Sequence, residues 1–340
     1  MKLKVVAAHL LAMLAITSCA GPTYRSDVNV SGDGLYDTHF PANAAKSLEH
    51  IIKATKKVYS QAQYKVHKFE AGRKLLHRDI TRELMKNPDT VEYMQTSVVG
   101  TGTVILNTQR RLALISCSHV FEKPDTLFSY YNTKSSEEPD YIASIAIKER
   151  QDNFVNDIPG VRHLDILAID EEADIAILGK KFLTDGPPIP YLYYPFGQAK
   201  ELQWGTLVYI VGFPGGFHQI TTGLVSEPNR DGKGGFLLDS NFNKGFSGGI
   251  VLALRDGVPN FEIVGIATST SGEDRTVLVP NDDREYIEGE IYMEAPYIGV
   301  QSNIKYGITF ATSSERIMDL LRRKQYDLKR EGYDFSGLLR

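Results

Sequence analysis

The sequence has little cysteine and little excess charge. Two cysteines stand in 340 residues, which excludes a framework of many disulfides and leaves stability to a hydrophobic core. The 38 basic and 42 acidic side chains are interspersed and give a formal net charge of −4, so we expect no nucleic-acid partner. Internal repeats and low-complexity tracts are absent, and 42% hydrophobic residues argue against a disordered, collagenous or coiled-coil chain.

The longest apolar run lies at the amino terminus. Lys2 and Lys4 precede Val5–Ile16, an apolar stretch of about 12 residues. This stretch is too short to span a bilayer, and its basic start is typical of a signal peptide. Both readings of this segment, as a lipoprotein signal or as an ordinary secretory signal, predict export from the cytoplasm.

The segment Ile16–Ala20, with Cys19 near its end, resembles the lipobox of bacterial lipoproteins. The resemblance implies cleavage before Cys19 and lipidation of its thiol, and Ala20 resembles a signal for the outer membrane, facing the periplasm. The alternative is a secretory signal with a chance cysteine. Taking Cys19 as a lipid site leaves Cys117 alone in an apolar run, where we expect a small buried hydrophobe rather than a catalytic thiol.

Composition divides the remaining chain. Residues 20–43 are rich in Gly, Ser, Pro, Asp and Asn, which indicates a tether. Residues 44–95 contain few strand formers, and the spacing of Leu48, Ile51 and Ile52 predicts helix.

From about residue 96, short β-branched runs punctuated by glycine indicate an all-β barrel or sandwich. Ser313 or Ser314 is a candidate N-cap of a C-terminal amphipathic helix. The predicted order is a signal peptide (1–18), a flexible tether (19–43), a helical extension (44–95), a β domain (96–312), and a C-terminal helix and tail (313–340).

The segment Gly245–Gly249, with Ser247 at its centre, fits two signatures of serine nucleophiles. One is the G-x-S-x-G turn of α/β-hydrolases, in which the histidine follows the serine. The last histidine here, His218, precedes Ser247, so this possibility lacks a base. The other signature, G-x-S-G-G, belongs to chains in which histidine, aspartate and serine follow in that order.

That second order is present. His119 follows a predicted strand, and Asp174 opens an apolar run upstream of Ser247. Imidazole titrates in the range that a serine hydroxyl needs for activation, and a carboxylate can orient the ring. His163 and His218 are the alternative bases, and Asp170 is the alternative acid. No HExxH motif or paired Cys/His spacing indicates a metal, and Gly100–Gly102 lacks the third glycine of a dinucleotide loop, so we expect neither metal nor cofactor.

With these motifs the chain resembles trypsin-like serine endopeptidases, most closely those of the bacterial HtrA/Deg type. The matching stretches are Gly100–Ile105, Ser118–Val120, Asp174–Leu178, Val211–Gly216, Thr222–Ser226, Gly245–Gly249, Ile263–Thr268 and Tyr306–Ala311. The resemblance implies a mainly β fold of two antiparallel six-stranded barrels and hydrolysis of peptide bonds in protein or peptide substrates. It further implies that the N–H groups of Gly245 and Ser247 form an oxyanion hole.

The resemblance also breaks in places. Phe246 stands where relatives carry Asn or Asp, which removes the acid that a new N-terminus would pair with and leaves room for an altered hole. About 28 residues follow Thr312, too few for the PDZ domain of many relatives. Asn241 is expected near the floor of the specificity pocket, which strand residues Ile266, Ala267 and Thr268 also shape.

The resulting prediction is a membrane-anchored serine endopeptidase that needs no cofactor. The alternative is a catalytically silent binding or chaperone-like lipoprotein on the same scaffold. The oligomeric state and the side-chain preference stay open.

Overall fold

The computed structural model describes residues 32–131, 140–280, 292–293 and 296–339. This part of the chain is mainly β, with two antiparallel sheets and a helix near each end, as predicted. The predicted signal peptide and Cys19 lie outside the described residues. No described helix is both long and apolar enough to cross a membrane.

The first sheet has seven strands within the described residues: β1 (Thr55–Lys68), β2 (Thr90–Asn107), β3 (Arg111–Ser116), β4 (Thr126–Tyr130), β5 (Ile142–Val155), β6 (Asp165–Asp170) and β7 (Ile175–Lys181). Their order in the sheet is β4-β5-β1-β2-β3-β7-β6. This sheet is a half-barrel where the resemblance implied a closed six-stranded barrel, and β1, which lies upstream of residue 96, pairs between β5 and β2.

The second sheet is the predicted six-stranded closed barrel, in the order β10-β13-β12-β11-β8-β9. Its strands are β8 (Leu207–Gly212), β9 (Gln219–Glu227), β10 (Phe236–Leu238), β11 (Gly249–Leu254), β12 (Phe261–Val279) and β13 (Tyr297–Ser313). Every residue of β8 and β11 is buried, which explains why their sequences read as continuous apolar runs.

Helix α1 (Ala45–Ala54) and helix α3 (Ser314–Arg330) pack on these sheets, while α2 (Arg82–Lys86) is one short turn. The predicted N-cap of α3 is Ser313, whose hydroxyl accepts a hydrogen bond from the Arg316 N–H at 3.4 Å. The apolar face of α3, Ile317, Leu320 and Leu321, is buried in a core shared with both sheets, so the C-terminal helix is confirmed.

The helical extension predicted over residues 44–95 is present only in part. Its first turns form α1, but β1 follows without a break, pairing with β2 and β5. The helical prediction was wrong here because burial from Val58 onward follows a period of two, with Val58, Ser60, Ala62 and Tyr64 buried. Alternation of this kind is typical of a strand, and Ser60 and Ala62 are too small to mark it in a hydropathy pattern.

The tether predicted over 19–43 also ends earlier than expected. Tyr36 is buried and forms an isolated antiparallel bridge with Arg255 at the end of β11. Its hydroxyl donates to Glu262 at 2.6 Å, and the Arg255 guanidinium lies 4.0 Å from the ring centroid. The compact unit accordingly begins at Gly34.

Candidate active site

Three side chains that are distant in sequence lie in one hydrogen-bonded row. The His119 Nε2 lies 2.9 Å from the Ser247 Oγ, and the His119 Nδ1 lies 2.8 Å from the Asp174 Oδ2. Asp174 and His119 come from the first sheet, and Ser247 comes from the loop before β11 of the second. The row has the connectivity of nucleophile, base and orienting acid.

Strand register brings His119 and Asp174 together. Strands β3 and β7 are antiparallel neighbours in which Ser116 pairs with Ala176. The chain therefore leaves β3 and enters β7 at the same edge of the sheet. His119 lies in a short 3-10 helix, Ser118–Val120, immediately after β3, and Asp174 lies just before β7.

Asp174 is held as a carboxylate by several donors. Its Oδ1 accepts hydrogen bonds at 3.0 Å from both the His119 backbone N–H and the Ser118 hydroxyl. Burial works to raise the pKa of Asp174, but the hydrogen bonds from the His119 side chain and backbone, the charge of His119 and the Ser118 hydroxyl outweigh it, so the pKa lies below its ordinary value. Asp174 also has φ +54°, a conformation that Asp tolerates better than most residues.

A glycine is required two residues before Ser247. Gly245 has φ +104°, and a Cβ there would lie 2.2 Å from the Phe213 carbonyl oxygen. Only glycine fits a position that combines positive φ with so close a backbone approach. In this conformation Gly245 and Ser247 line a cleft of about 580 Å³ together with His119.

The N–H groups of Gly245 and Ser247 have no hydrogen-bond partner among the described residues. The preceding carbonyl, that of Lys244, accepts from the Gly215 N–H at 2.8 Å. Because a trans peptide directs its N–H opposite to its C=O, the Gly245 N–H points away from Gly215. These two donors are therefore available to an acceptor bound beside Ser247.

Thr101 of β2 ties this loop to the first sheet. Its buried hydroxyl donates to the Gly245 carbonyl at 2.6 Å and accepts from the Phe213 N–H at 3.0 Å. Its backbone N–H donates to the Ser247 carbonyl at 2.8 Å. The sequence pattern of Gly100–Gly102 was considered only as a possible dinucleotide loop and does not indicate this role, since no local pattern shows that a threonine bonds a loop more than a hundred residues away.

Phe246 lies in the interior of the closed barrel. It is buried, and its ring centroid lies 6.0 Å from that of Phe242. A Cβ at Gly212 of β8 would lie 2.8 Å from the Phe246 ring, so the ring packs directly on this strand. An apolar side chain thus fixes the middle of the loop, at the position where the sequence resemblance led us to expect Asn or Asp.

The structure separates the four predicted pocket residues. Ile266 and Ala267 have no exposed surface. Ile266 belongs to the core shared with the first sheet and Ala267 to the core of the closed barrel, while Asn241 is exposed. Thr268 is the one that lines a cavity, of about 360 Å³, with Phe310 and Arg230 among its neighbours. Its carbonyl lies 3.4 Å from the Ser247 Oγ. Full burial keeps the side chains of Ile266 and Ala267 away from a substrate, so of the predicted strand residues only Thr268 meets the site.

The alternative acid and bases are engaged elsewhere. Asp170 accepts from the Ala173 N–H at 2.9 Å and pairs with Arg323 of α3. The exposed His163 lies 3.3 Å from Asp165. His218 stacks on Phe213 at 4.3 Å, and burial, together with the charge of Lys56, lowers its pKa.

Cys117 lies behind the row. Its thiol is fully buried and contacts the Ala267 carbonyl at 3.5 Å, and burial with the nearby charge of Asp174 raises its pKa. Ligand atoms of Cys117, His119 and Asp174 lie within 4.8 Å of one another, but both nitrogens of the His119 ring already face hydrogen-bond partners. Because burial raises its pKa, the Cys117 thiol lacks the thiolate character of a nucleophile or ligand.

The family model described as a trypsin-like peptidase domain matches residues 100–266, a stretch that contains His119, Asp174 and Ser247. The match and the fold of a closed barrel with a half-barrel support a peptidase of the chymotrypsin fold. No curated protein matches the chain.

Proposed function

We propose that this chain is a serine endopeptidase that cleaves protein substrates through an acyl-enzyme intermediate. The observation that carries the proposal is the continuous row from the Ser247 Oγ to His119 at 2.9 Å and on to Asp174 at 2.8 Å. Nucleophile and base are within the distance that direct proton transfer requires.

In the first step His119 Nε2 takes the hydroxyl proton as Ser247 Oγ attacks the scissile carbonyl carbon. The carbonyl π electrons move to its oxygen and form a tetrahedral intermediate. Collapse of this intermediate breaks the C–N bond, and His119 gives its proton to the leaving amine. Asp174 holds the ring with Nδ1 protonated and stabilises the imidazolium. In the second step His119 takes a proton from a water molecule as that water attacks the ester carbon. His119 then returns the proton to the Ser247 Oγ as the ester bond breaks and the acid is released.

The intermediate places a negative charge on the former carbonyl oxygen. The N–H groups of Gly245 and Ser247, which have no partner within the described residues, are the donors we assign to it. Removing one donor of this kind lowers a rate by roughly 10²–10³-fold. The Gly215 N–H holds the peptide that carries the Gly245 N–H through the Lys244 carbonyl, and the Gly249 N–H holds the peptide that carries the Ser247 N–H through the Phe246 carbonyl at 2.6 Å. The two donors therefore need no reorganisation during the reaction.

The test is a Ser247→Ala variant compared with Ser226→Ala on β9. A fluorophosphonate probe should label the natural protein and Ser226→Ala but not Ser247→Ala, and the far-ultraviolet circular dichroism spectra should agree. Casein turnover should follow the labelling. Labelling that persists in Ser247→Ala contradicts the assignment, and a natural protein that binds casein without cutting it favours the silent binding protein instead.

We also propose that the peptidase is of the HtrA/Deg type and is anchored to a bacterial membrane, on the outer membrane facing the periplasm, through a lipid on Cys19. The support is the order of the motifs and the lipobox-like sequence Ile16–Ala20. A lipoprotein modification supplies more than one acyl chain, which stable attachment requires. Expressed in a bacterium, the natural chain should sediment with membranes and Cys19→Ala should be released, whereas attachment of Cys19→Ala would contradict the anchor.

A further inference from the structure

The charged side chains that line the cleft beside Ser247 are all basic. Ser97–Val99 of β2, Gly215 and Gly216 form much of its lining, and its charged side chains are Lys57 and Lys244. Neither Asp nor Glu is among the described residues that line it. Neither lysine forms an ion pair in the part of the chain that the structure describes, so no described carboxylate occupies their donors.

Lys57 is fixed rather than free on the surface. Its Nζ donates to the Gly216 carbonyl at 3.3 Å and lies 5.6 Å from the centroid of the Tyr59 ring. That ring in turn stacks on Phe154 of β5, with centroids 5.0 Å apart and planes 6° apart. An ammonium has three donors, and one of them is used by Gly216. The other two remain for a bound group.

The cleft lies on the side of the leaving group. His119, which would protonate the leaving amine, lines it together with Lys57, whereas Thr268 lines the separate cavity of about 360 Å³. On the proposed mechanism, the segment that follows the scissile bond is therefore the one that we assign to the cleft with Lys57 and Lys244.

We propose that Lys57 and Lys244 form a subsite for a carboxylate in the part of the substrate that follows the scissile bond. The inference rests on the proposed peptidase function and adds a substrate class, acidic peptide segments. The carboxylate comes from an Asp or Glu side chain or from the C-terminus of a short peptide. Both sources offer two oxygens to ammonium donors, and an open cleft admits either.

The experiment starts from casein cut by the full chain, with the cleavage sites mapped by mass spectrometry. One cut site is then made as matched peptides that carry Glu or Gln at each of the first three positions after the bond. The C-terminus is prepared as the free acid or as the amide. The measured quantity is the ratio of kcat/KM between members of each pair, so changes in overall activity cancel.

We expect a Glu to Gln ratio of about five at one or more of the three positions, which is the size expected of a partly exposed ion pair. The ratio should fall toward one in 0.5 M salt, since salt screens such pairs. A free-acid to amide ratio of similar size, with no effect of internal Glu, assigns the subsite to a C-terminus instead of a side chain.

Charge reversal gives the decisive arm. Lys57→Glu should invert the preference, so that a peptide with Arg at the same position is cut faster than its Gln partner. Lys65→Glu, on the same strand but outside the cleft, should keep the natural ratio. Inversion is a gain of selectivity that a misfolded variant does not produce.

Ser247-dependent cleavage with every ratio near one overturns this subsite and leaves the peptidase proposal standing. A ratio that is equally lost in Lys65→Glu also overturns it, because the effect would then come from net charge. Absence of any Ser247-dependent cleavage overturns the proposed function and the subsite with it.

Discussion

The two sheets hold their parts of the site by different means. The first sheet positions His119 and Asp174 through side-chain hydrogen bonds at the registered ends of β3 and β7. The closed barrel positions Ser247 through backbone geometry, with Gly245 at φ +104° and Phe246 buried in its core. The part of the site on the first sheet therefore depends on the chemistry of its side chains. The part on the closed barrel depends on Gly245, where the absence of a side chain lets the backbone approach closely.

The largest expected effect tests the side chains that the first sheet positions. Asp174→Asn keeps the size of the side chain, and Asn also tolerates positive φ, but the amide removes the charge that stabilises the imidazolium and fixes its tautomer. We expect kcat to fall roughly 10⁴-fold, measured on a peptide from the casein map.

Asp170→Asn is the matched control, since Asp170 lies four residues earlier and bonds to Ala173 and Arg323. Its kcat should stay within about twofold of the natural value. A larger loss in Asp170→Asn than in Asp174→Asn would reassign the acid.

The backbone geometry by which the closed barrel positions Ser247 is tested by Gly245→Ala. The added Cβ would lie 2.2 Å from the Phe213 carbonyl oxygen, so the loop must move and the Gly245 N–H moves with it. We expect the rate to fall about 10²–10³-fold, the effect of losing one oxyanion donor, in labelling by the fluorophosphonate as well as in peptide cleavage.

Gly205→Ala separates strain from position. Gly205 also has positive φ, +81°, but an added Cβ meets nothing within 4 Å. It should cost about 1 kcal/mol of stability and leave labelling at the natural rate. Equal loss of labelling in both variants would show that general loss of stability, rather than the position of the Gly245 N–H, is responsible.

A smaller effect is expected where the two halves meet. Thr101→Val keeps the shape but removes the hydroxyl that bonds Gly245 and Phe213, leaving two buried backbone groups without that partner. We expect kcat to fall about tenfold with KM little changed, since the hydroxyl acts through the loop.

Thr101→Ser restores the hydroxyl and should recover most of kcat, which identifies Thr101 as a positioning residue. Thr101→Val replaces the hydroxyl by a methyl group, and Thr101→Ser removes the methyl group. If both variants lose activity equally, packing around residue 101 rather than the hydrogen bonds of the hydroxyl would explain the result.

The smallest effect concerns acid stability. The folded pKa of Asp174 is lowered, so its carboxylate adds stability above the unfolded pKa, and this contribution is lost as the pH falls through the folded value. The gap in urea midpoint between the natural chain and Asp174→Asn should therefore narrow from pH 7 toward pH 3. A constant gap would mean that the charge of Asp174 adds nothing to folding.

The sequence predicted the elements whose signals are local. Continuous apolar runs gave β8 and β11, and Ser313 with the spacing of Ile317 and Leu321 gave α3. It failed for β1, since the alternating buried positions there include Ser60 and Ala62, which carry no hydrophobic signal. Tyr36 was missed for a related reason, because its partners Arg255 and Glu262 are more than two hundred residues away.

Within the site the same distinction applies. Gly245–Gly249 and the order of His119, Asp174 and Ser247 are visible in the chain, so the three side chains that the structure brings together were named in advance. Thr101 and Lys57 were not, because their importance comes from contacts across the two sheets. Ile266 and Ala267 were named from their position in the strand alone, and packing on both faces of this strand buries them.

The hydrogen bond from the Thr101 N–H to the Ser247 carbonyl has a mechanical consequence. Strand β2 of the first sheet is bonded to the backbone of Ser247, which the closed barrel carries. A movement that separates the two sheets would therefore also displace the Ser247 hydroxyl from His119. Widening the cleft between the two sheets and losing the contact between Ser247 and His119 are therefore coupled movements in this fold.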